Sequence, residues 1–252
     1  MTADARRLIE RAWDARTPKT RAKHARAAIE ADPDALDGYV LLGQSLTDAE
    51  AARALYQEGA ARGRRIWATA MKAPARHHFW LDLDTRPFMR VIHLHALALW
   101  DAGARSEAIG EAKTLLRLNR NDNQGIRELL AVWYPATGDW SALAKLLARY
   151  PDDWSTSRAY AMWLLAFRDG SPGAEALEKA LEINPHVPRF LADPEARVDA
   201  DSGDRLPLPG YVVMGSPAEA QGYSQFARDA WIAVPGAIER LVADAGGARA
   251  GD

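Results

Sequence analysis

The sequence predicts an all-α protein in which repeated helical hairpins stack as a solenoid. The first observation is a run of small and apolar residues spaced as in two packed helices: Ala96, Leu99, Gly103, Ala108, Ala112 and Leu115. The second is that a similar spacing returns upstream and downstream of this run. The third is a composition rich in Ala, Arg, Leu and Trp, which favours helices over strands. About five such units are expected, more than the roughly three that a stable stack needs.

Residues 1–70 are predicted to form degenerate N-terminal helical repeats. Pro33 follows Asp32 and favours a helix end there, because proline restricts the backbone of the residue before it. The next unit is clearer. Tyr39, Leu42 and Gly43 follow the W-x2-L-G spacing of a tetratricopeptide repeat, in which a small residue lies where the two helices cross.

Residues 71–192 are predicted to carry tetratricopeptide-like repeats. Thr85 is expected to cap a helix, and Pro87 suits the first turn of that helix, where its missing N–H is not needed. Two further hairpins are expected to turn at Gly138 and Gly170.

Residues 193–252 are predicted to form an irregular proline-rich strap, C-terminal capping helices and a disordered tail. Six of the fourteen prolines lie between 185 and 217, and this stretch is expected to cross the surface as the irregular strap. Ser216 and Glu219 have the spacing of a capping box, which opens a helix. A second, shorter helix is expected to end at Leu241, and the tail from Gly246 is expected to be disordered.

Charge and composition narrow the classes of function. The formal net charge of −2 argues against a general attraction to nucleic acid or to an anionic membrane. The distribution is uneven: residues 1–30 carry eight basic and four acidic residues, and residues 193–252 carry five basic and ten acidic residues. The basic stretch at 6–26 interleaves its charges with alanine more than with aromatic residues, so no platform on which bases would stack is expected there.

The chain contains no cysteine, which excludes disulfides, thiolate metal sites and cysteine nucleophiles. Its first residues lack the apolar core of a signal peptide, and its longest apolar run, 162–167, is too short to span a bilayer. We therefore expect a cytoplasmic protein that binds neither membrane nor nucleic acid.

A family resemblance is carried by the strings HFWLDLDTRPFMR, LLRLNRNDNQGIRELL, LEINPHVPRFL and GSPAEAQGYSQFARDAWIAVPGAIERL. Together they resemble a tetratricopeptide-type family of bacterial repeat proteins. The last third also resembles the suppression-of-tumorigenicity-seven family of eukaryotes. The resemblance covers about residues 77–241, and Phe88 and Arg120 depart from the tyrosine and proline expected there. It implies an all-helical scaffold for protein interaction and implies no catalytic residues.

A binding groove is predicted on the first helix of each hairpin, where positions 2, 5, 9 and 12 of a tetratricopeptide repeat usually face the ligand. The candidate groove residues are Arg90, His93, Leu97, Trp100, Arg127, Glu128, Arg158 and Met162. The three arginines suit an acidic or C-terminal segment, because a guanidinium group binds a carboxylate through two parallel hydrogen bonds.

Structural alternatives stay open for these residues. Arg90 and Arg127 would equally pair with nearby acidic residues, namely Asp82, Asp84 or Glu128. Trp100 and Trp163 either fill the core or anchor a ligand. The Asn123-Gln124-Gly125 string either contacts a ligand or satisfies backbone groups and caps the next helix.

A metal-binding or enzymatic function is a competing hypothesis to peptide binding. His77, His78, His93 and His95 are the densest group of potential metal ligands, with Asp82 and Asp84 beside them. His93 and His95 are two residues apart on a predicted helix, so their side chains point about 200° apart and do not face one ion. Phosphate-binding loops, dinucleotide fingerprints and nucleophile elbows are absent from the sequence. No metal or other cofactor is therefore expected.

The function expected from the sequence is that of a non-enzymatic interaction scaffold, which binds an extended or acidic polypeptide through a concave groove. The alternative is a structural or assembly subunit that self-associates through its end surfaces. In solution we expect a monomer or a weak homo-oligomer. An enzyme or metal-binding protein is the third hypothesis. Charge reversal of Arg90 together with Arg127 is expected to abolish peptide binding without unfolding the protein.

Overall fold

The structure is a computed structural model that describes residues 1–171, 173–198 and 212–249. These residues contain α-helices and short 3₁₀ turns and no β-strand, which confirms the predicted all-α fold. The helices are α1 (Ala3–Trp13), α2 (Pro18–Ala31), α3 (Leu36–Gly43), α4 (Ala49–Ile66), α5 (Ala68–Lys72), α6 (Arg86–Asp101), α7 (Arg105–Leu118), α8 (Ile126–Ala136), α9 (Trp140–Arg149), α10 (Thr156–Arg168), α11 (Ala174–Ile183), α12 (Val187–Ala192), α13 (Pro217–Ile232) and α14 (Ala237–Arg249).

Two compact units divide the chain, Met1–Ile126 and Arg127–Asp252. In the first unit, α1 packs on α2, α3 on α4 and α6 on α7, and neighbouring hairpins meet through α2 with α3 and through α4 with α6. The short helix α5 and the 3₁₀ turns at Pro74–Arg76 and Leu83–Thr85 separate the second hairpin from the third. A cluster of buried apolar residues joins the first two hairpins: Ile9, Ala12, Ala25, Ala28, Leu41 and Leu42.

The hairpin turns repeat one backbone geometry in both units. Gly103, Gly138 and Gly170 have φ of 79°, 73° and 72°, a left-handed conformation that glycine adopts without steric cost. In each turn the residue after the glycine donates its N–H to the carbonyl five residues earlier, at 2.9 Å in all three. The predicted turns are confirmed, and the last carbonyls of α6, α8 and α10 find partners in the same way.

The glycine of the W-x2-L-G spacing has a packing role. The ring of Tyr56 on α4 lies against Gly43 at the end of α3, so closely that a Cβ at this position would overlap the ring. Only glycine lets the two helices approach to this distance without moving Tyr56.

Thr85 corrects one prediction. Its side chain makes no capping bond to α6. Its hydroxyl instead donates toward the carbonyls of Phe79 and, at 2.8 Å, Asp82. The residue is fully buried, so its hydroxyl satisfies the carbonyls of the preceding loop rather than the helix N-terminus. Pro87 does lie in the first turn of α6, as predicted.

In the second unit α10 packs on α11, and α12 packs on α13 and α14. Asn184, at the end of α11, is fully buried and joins these elements. Its amide donates to the carbonyl of Ser216 at 3.1 Å and to the Glu219 carboxylate at 3.0 Å, and its own carbonyl accepts from the Tyr160 hydroxyl at 2.6 Å. Half of the predicted capping box is present, since Ser216 Oγ accepts the N–H of Glu219 at 3.2 Å. The Glu219 carboxylate accepts the N–H of Gly215 at 2.7 Å instead of that of Ser216.

An aromatic cluster fills this unit. The Trp163 ring stacks on the rings of Trp231 and Phe167, with centroids 5.6 Å and 5.3 Å away. Tyr223 is buried beside them and accepts a hydrogen bond from Trp231 Nε1 at 3.1 Å. Trp163 is 1% exposed, so of its two alternatives the structure describes the one in which it fills the core.

The C-terminal part differs from the prediction in two places. Helix α12 lies within the proline-rich stretch 185–217 expected to be irregular, of which residues 199–211 fall outside the described ranges. Helix α14 runs to Arg249, beyond the expected end at Leu241, so the expected tail from Gly246 begins inside a helix; residues 250–252 are outside the description.

Candidate functional site

The predicted groove residues of the first unit lie on α6, and Arg90 is engaged within the protein. Its Nε and Nη2 donate to the two carboxylate oxygens of Asp37 on α3, at 2.9 Å and 2.8 Å. Its guanidinium carbon also lies 5.8 Å from the ring centre of Trp13, the last residue of α1. Arg90 therefore ties together the first helices of three hairpins. Its partner is Asp37 rather than any of the acidic residues considered from the sequence.

The Asp37 carboxyl is shielded from water by this packing. Burial raises its pKa above the ordinary value, and the positive charge and hydrogen bonds of Arg90 offset only part of the effect. Its side chain is 13% exposed, so a loss of Arg90 would leave a nearly buried carboxylate without a cation.

The other α6 candidates differ in accessibility. His93 and Leu97 are partly exposed, and burial lowers the pKa of His93, which keeps its imidazole neutral near pH 7. Trp100 is 8% exposed, and the guanidinium carbon of Arg105 covers its ring at 3.9 Å. Trp100 is thus placed as a core residue, in line with the packing alternative.

The histidines do not gather around one point. His95 is buried, and its Nδ1 lies 3.1 Å from the Glu111 carboxylate on α7. The same carboxylate also pairs with Arg64 on α4, so three helices share one polar contact. His77 is 3.2 Å from Asp82 and packs edge-on against Phe79. Within the described residues, no three histidine or acidic side chains come together as a metal site would require.

In the second unit, Arg127 lies at the start of α8 and is also paired. Its Nε is 2.8 Å from an Asp153 oxygen, and its guanidinium carbon is 5.6 Å from the centre of the Tyr150 ring. Asp153 accepts the N–H of Ser155 with its other oxygen at 3.0 Å, which holds the loop before α10. Glu128, the next candidate, is partly exposed and has an interaction partner of its own.

Arg158 and Met162, the last two candidates, lie one turn apart on α10 and line the same cleft. The cleft has a volume of about 540 Å³ and lies between α10, the loop before it and α11. Its apolar surface comes from Trp154, Met162 and Ile183. Asp153 forms part of the cleft wall. Arg127, another predicted groove residue, therefore contacts the wall through its hydrogen bond to Asp153.

The charged side chains that line the cleft differ in whether they have a partner within the protein. Arg158 Nε is enclosed, and among the described residues it has no hydrogen-bond partner. Lys179 on α11 is paired with Glu175 at 2.6 Å. Asp152 and Glu182 are exposed acidic residues of the rim. Arg158 is therefore the cation of the cleft whose hydrogen-bonding capacity remains for a ligand.

Trp154 is the residue that the sequence analysis missed. It is 76% exposed and lies in the loop just before Ser155, whose hydroxyl caps α10. A signal was present, since a large aromatic residue stands among Asp152, Asp153 and Ser155 outside any amphipathic helix. The repeat pattern specifies residues at helix positions and says nothing about the loops between the hairpins.

The Asn123-Gln124-Gly125 string and its neighbour Asp122 have structural roles. Asp122 Oδ1 accepts the N–H of Ile126 at 2.8 Å and caps α8, while the Gln124 amide donates to the carbonyl of Met89 at 3.4 Å. The capping alternative therefore describes this turn.

No family model matches the chain. It is similar to proteins named Suppressor of tumorigenicity 7 protein-like. The rat protein is 25% identical over 271 residues, covering 93% of this chain and 45% of the rat protein. The human protein is also 25% identical and 44% covered, and the zebrafish protein is 24% identical and 43% covered. The chain thus spans less than half the length of these relatives.

The similarity extends further than the strings at 77–241 indicated, because it covers 93% of the chain and so takes in most of the N-terminal repeats. The names of these relatives state neither a binding partner nor a reaction.

None of the described helices is both long and apolar enough to cross a bilayer.

Proposed function

We propose that the protein is a non-enzymatic scaffold of the tetratricopeptide type, which binds an extended polypeptide segment, and that the cleft of the second unit is its recognition site. The observation that carries this proposal is the combination, in one cleft, of an exposed Trp154 with the Nε of Arg158, which has no hydrogen-bond partner among the residues that the structure describes. Apolar side chains of a ligand pack on an exposed indole such as that of Trp154. A carboxylate of the ligand accepts hydrogen bonds from a guanidinium group such as that of Arg158.

The charges of the cleft define the segment more narrowly than the sequence did. A run of acidic residues would meet Asp152 and Glu182 on the rim and be repelled. A single carboxylate beside a large apolar side chain avoids that cost. We therefore propose a ligand in which one acidic residue, or a C-terminal carboxylate, follows or precedes a Leu, Phe or Met.

The surface around Arg90 is a weaker candidate for this role. Arg90 and Arg127 both hold carboxylates of the protein itself, and a ligand carboxylate would have to displace Asp37 or Asp153. Because the cost of exposing these partners subtracts from binding, Arg158 offers the more favourable contact.

The absence of cysteine is compatible with the cytoplasmic location that we propose for the protein.

The proposal is tested by screening a peptide array that varies one acidic and one apolar position, and then measuring affinities by fluorescence anisotropy. We expect micromolar binding to peptides that carry both features. Arg158→Glu and Trp154→Ala should each weaken binding at least tenfold, because each removes one of the two contacts.

Lys145→Glu on α9 is the matched control, since it makes the same charge change on an exposed residue that does not line the cleft. Circular dichroism should report unchanged helicity in all three variants. Equal affinities of Arg158→Glu and wild type would refute the cleft as the recognition site.

Self-association is the second candidate function. Exposed apolar side chains on the last two helices favour it, namely Phe226, Ile232 and Val242, which are 38%, 59% and 38% exposed. The acidic balance of this end and the basic balance of residues 1–30 would let two copies attract each other.

A further inference from the structure

A second cavity lies in the first unit, away from the peptide cleft. It has a volume of about 450 Å³ and opens between the segment at 74–81 and the turn at 117–123 that follows α7. The turn contains the Asn-Arg-Asn-Asp-Asn string of the third repeat, whose Asp122 caps α8. The capping role leaves the side chains on either side of Asp122 unexplained.

Asn119 is the buried member of that turn. It is 6% exposed, and its backbone is fully used: its N–H donates to Leu115 at 2.9 Å and its carbonyl accepts from Asp122 at 3.0 Å. Its side-chain Nδ2 has no hydrogen-bond partner among the described residues, although Asn119 lines the cavity. A buried amide donor without a partner costs free energy, so a native protein usually reserves it for a ligand or water.

The charge of the cavity has one sign. Arg117 and Arg120 contribute guanidinium groups to its wall, and His78 contributes an imidazole. Within the protein, Arg117 donates a hydrogen bond from Nη1 to the carbonyl of Met71 at 2.8 Å. No aspartate or glutamate lines the cavity, and the nearby Asp122 turns its carboxylate to the N–H of Ile126. Among the described residues that line the cavity, the charged side chains are therefore basic, and Asn119 adds a buried amide donor.

The segment at 74–81 contributes apolar side chains to the lining. They are Phe79, which is fully buried, Trp80, and Leu81, which is 72% exposed. The guanidinium carbon of Arg86 lies 4.8 Å from the centre of the Trp80 ring and its Nε donates to the Trp80 carbonyl at 3.0 Å, so the indole is held in place. An indole held in place and hydrogen-bond donors in one cavity suit a ligand with one flat apolar end and one anionic end.

We propose that this cavity binds a small organic anion, in which a phosphate or carboxylate contacts Asn119 and Arg117 and a flat apolar group lies on Trp80 and Leu81. The site is separate from the peptide cleft, so the two proposals stand or fall independently. Phosphate and carboxylate share the chemistry that these donors recognise, because both present several oxygen acceptors to amide and guanidinium N–H groups.

The test uses phenyl phosphate and benzoate as probes, with inorganic phosphate and phenol as the separated halves, in calorimetric titrations of the full chain. We expect at least one of the two whole probes to bind at least tenfold more tightly than either half. The ratio of the dissociation constants of phenyl phosphate and benzoate identifies the preferred anionic group. In a ¹⁵N-labelled sample the side-chain NH₂ resonance of Asn119 should shift on binding.

Two variants locate the site. Arg117→Glu reverses an exposed charge at the cavity and should weaken binding of the preferred probe at least tenfold, whereas Lys113→Glu, one turn earlier on α7 and outside the cavity wall, should leave it unchanged. Asn119→Asp replaces the donor with a carboxylate of the same size and should also abolish binding. If Asn119→Asp fails to fold, Arg117→Glu and the resonance shift carry the test.

The proposal is overturned if neither whole probe binds at millimolar concentration, if phosphate alone binds as tightly as phenyl phosphate and benzoate, or if Arg117→Glu and Lys113→Glu bind equally.

Discussion

Arg90 belongs at the same time to a predicted ligand surface and to an ion pair within the protein. Its two hydrogen bonds to Asp37 are of ordinary length, and the carboxylate is far less exposed than the guanidinium, 13% against 38%. The pair therefore contributes mainly by keeping Asp37 from being buried alone. Its own strength is limited because water still reaches Arg90.

Replacing Arg90 should consequently lower stability. We expect Arg90→Ala to reduce the free energy of unfolding by about 1–2 kcal/mol, since it leaves a buried carboxylate without its partner. Urea denaturation followed by circular dichroism measures this. Arg26→Ala, which removes an exposed arginine from α2, should change stability by less than about 0.5 kcal/mol.

Asp37→Asn on top of Arg90→Ala should restore part of the loss, because the uncharged amide costs less to bury than the carboxylate. Equal stabilities of Arg90→Ala and Arg26→Ala would show that the pair contributes nothing. By the same reasoning, the charge reversal of Arg90 with Arg127 should destabilise the protein, so it does not test ligand binding cleanly.

Sequence reasoning placed Arg158 and Met162 on one helix face and missed the nearby Trp154, for a physical reason. Helix periodicity indicates which side chains share a face, and these two are four residues apart. It says nothing about which acidic residue an arginine meets across helices. Asp37 is 53 positions from Arg90, and only the packing of α3 on α6 brings them together.

At the scale of elements, the hairpin is the part of the fold that the sequence predicts well. Its turn needs a left-handed residue, and glycine at 103, 138 and 170 supplies one. Thr85 shows the limit of such local rules, because burial rather than position decided where its hydroxyl donates. Helix α12 was missed because prolines at the start of a helix are read as loop signals when several occur close together.

The contact of Glu111 with His95 and Arg64 joins three helices of the first unit. Burial raises the pKa of the Glu111 carboxyl, but the hydrogen bond from His95 and the charge of Arg64 outweigh it, so that the net pKa lies below the ordinary value. The unfolded chain then binds protons more readily than the folded protein in this range. Stability from Glu111 is present above the ordinary pKa of a glutamate and is lost as the pH falls through the lower folded value.

We therefore expect the urea midpoint of wild type to fall between about pH 5 and pH 3 more steeply than that of Glu111→Gln. The same series with Glu107→Gln, on the same helix and exposed, should parallel wild type. A slope that is the same in wild type and Glu111→Gln would show that this contact does not titrate with folding.

At the scale of the whole molecule, the uneven distribution of charge bears on self-association, the second candidate function. One end of the sequence carries a basic excess and the other an acidic excess, and their attraction is screened by salt. We expect a monomer at physiological salt and, if the second candidate function holds, reversible association at low ionic strength.

Sedimentation velocity at low and high salt measures this. Ile232→Lys adds positive charge to the acidic end at an exposed apolar residue. It should suppress any association, because it weakens the attraction to the basic end and also removes an apolar contact. A monomer at every salt concentration, at protein concentrations well above micromolar, would exclude self-association as the function.

The stack of Trp163 on Trp231 has a spectroscopic consequence. Two indoles with centroids 5.6 Å apart and planes 19° from parallel couple electronically, and such a pair gives an exciton couplet in the circular dichroism spectrum that isolated tryptophans do not. The second unit thus contains its own optical reporter. That signal should persist through the binding experiments and disappear only when α10 and α13 separate, while the exposed indole of Trp154 reports on the cleft through its emission colour.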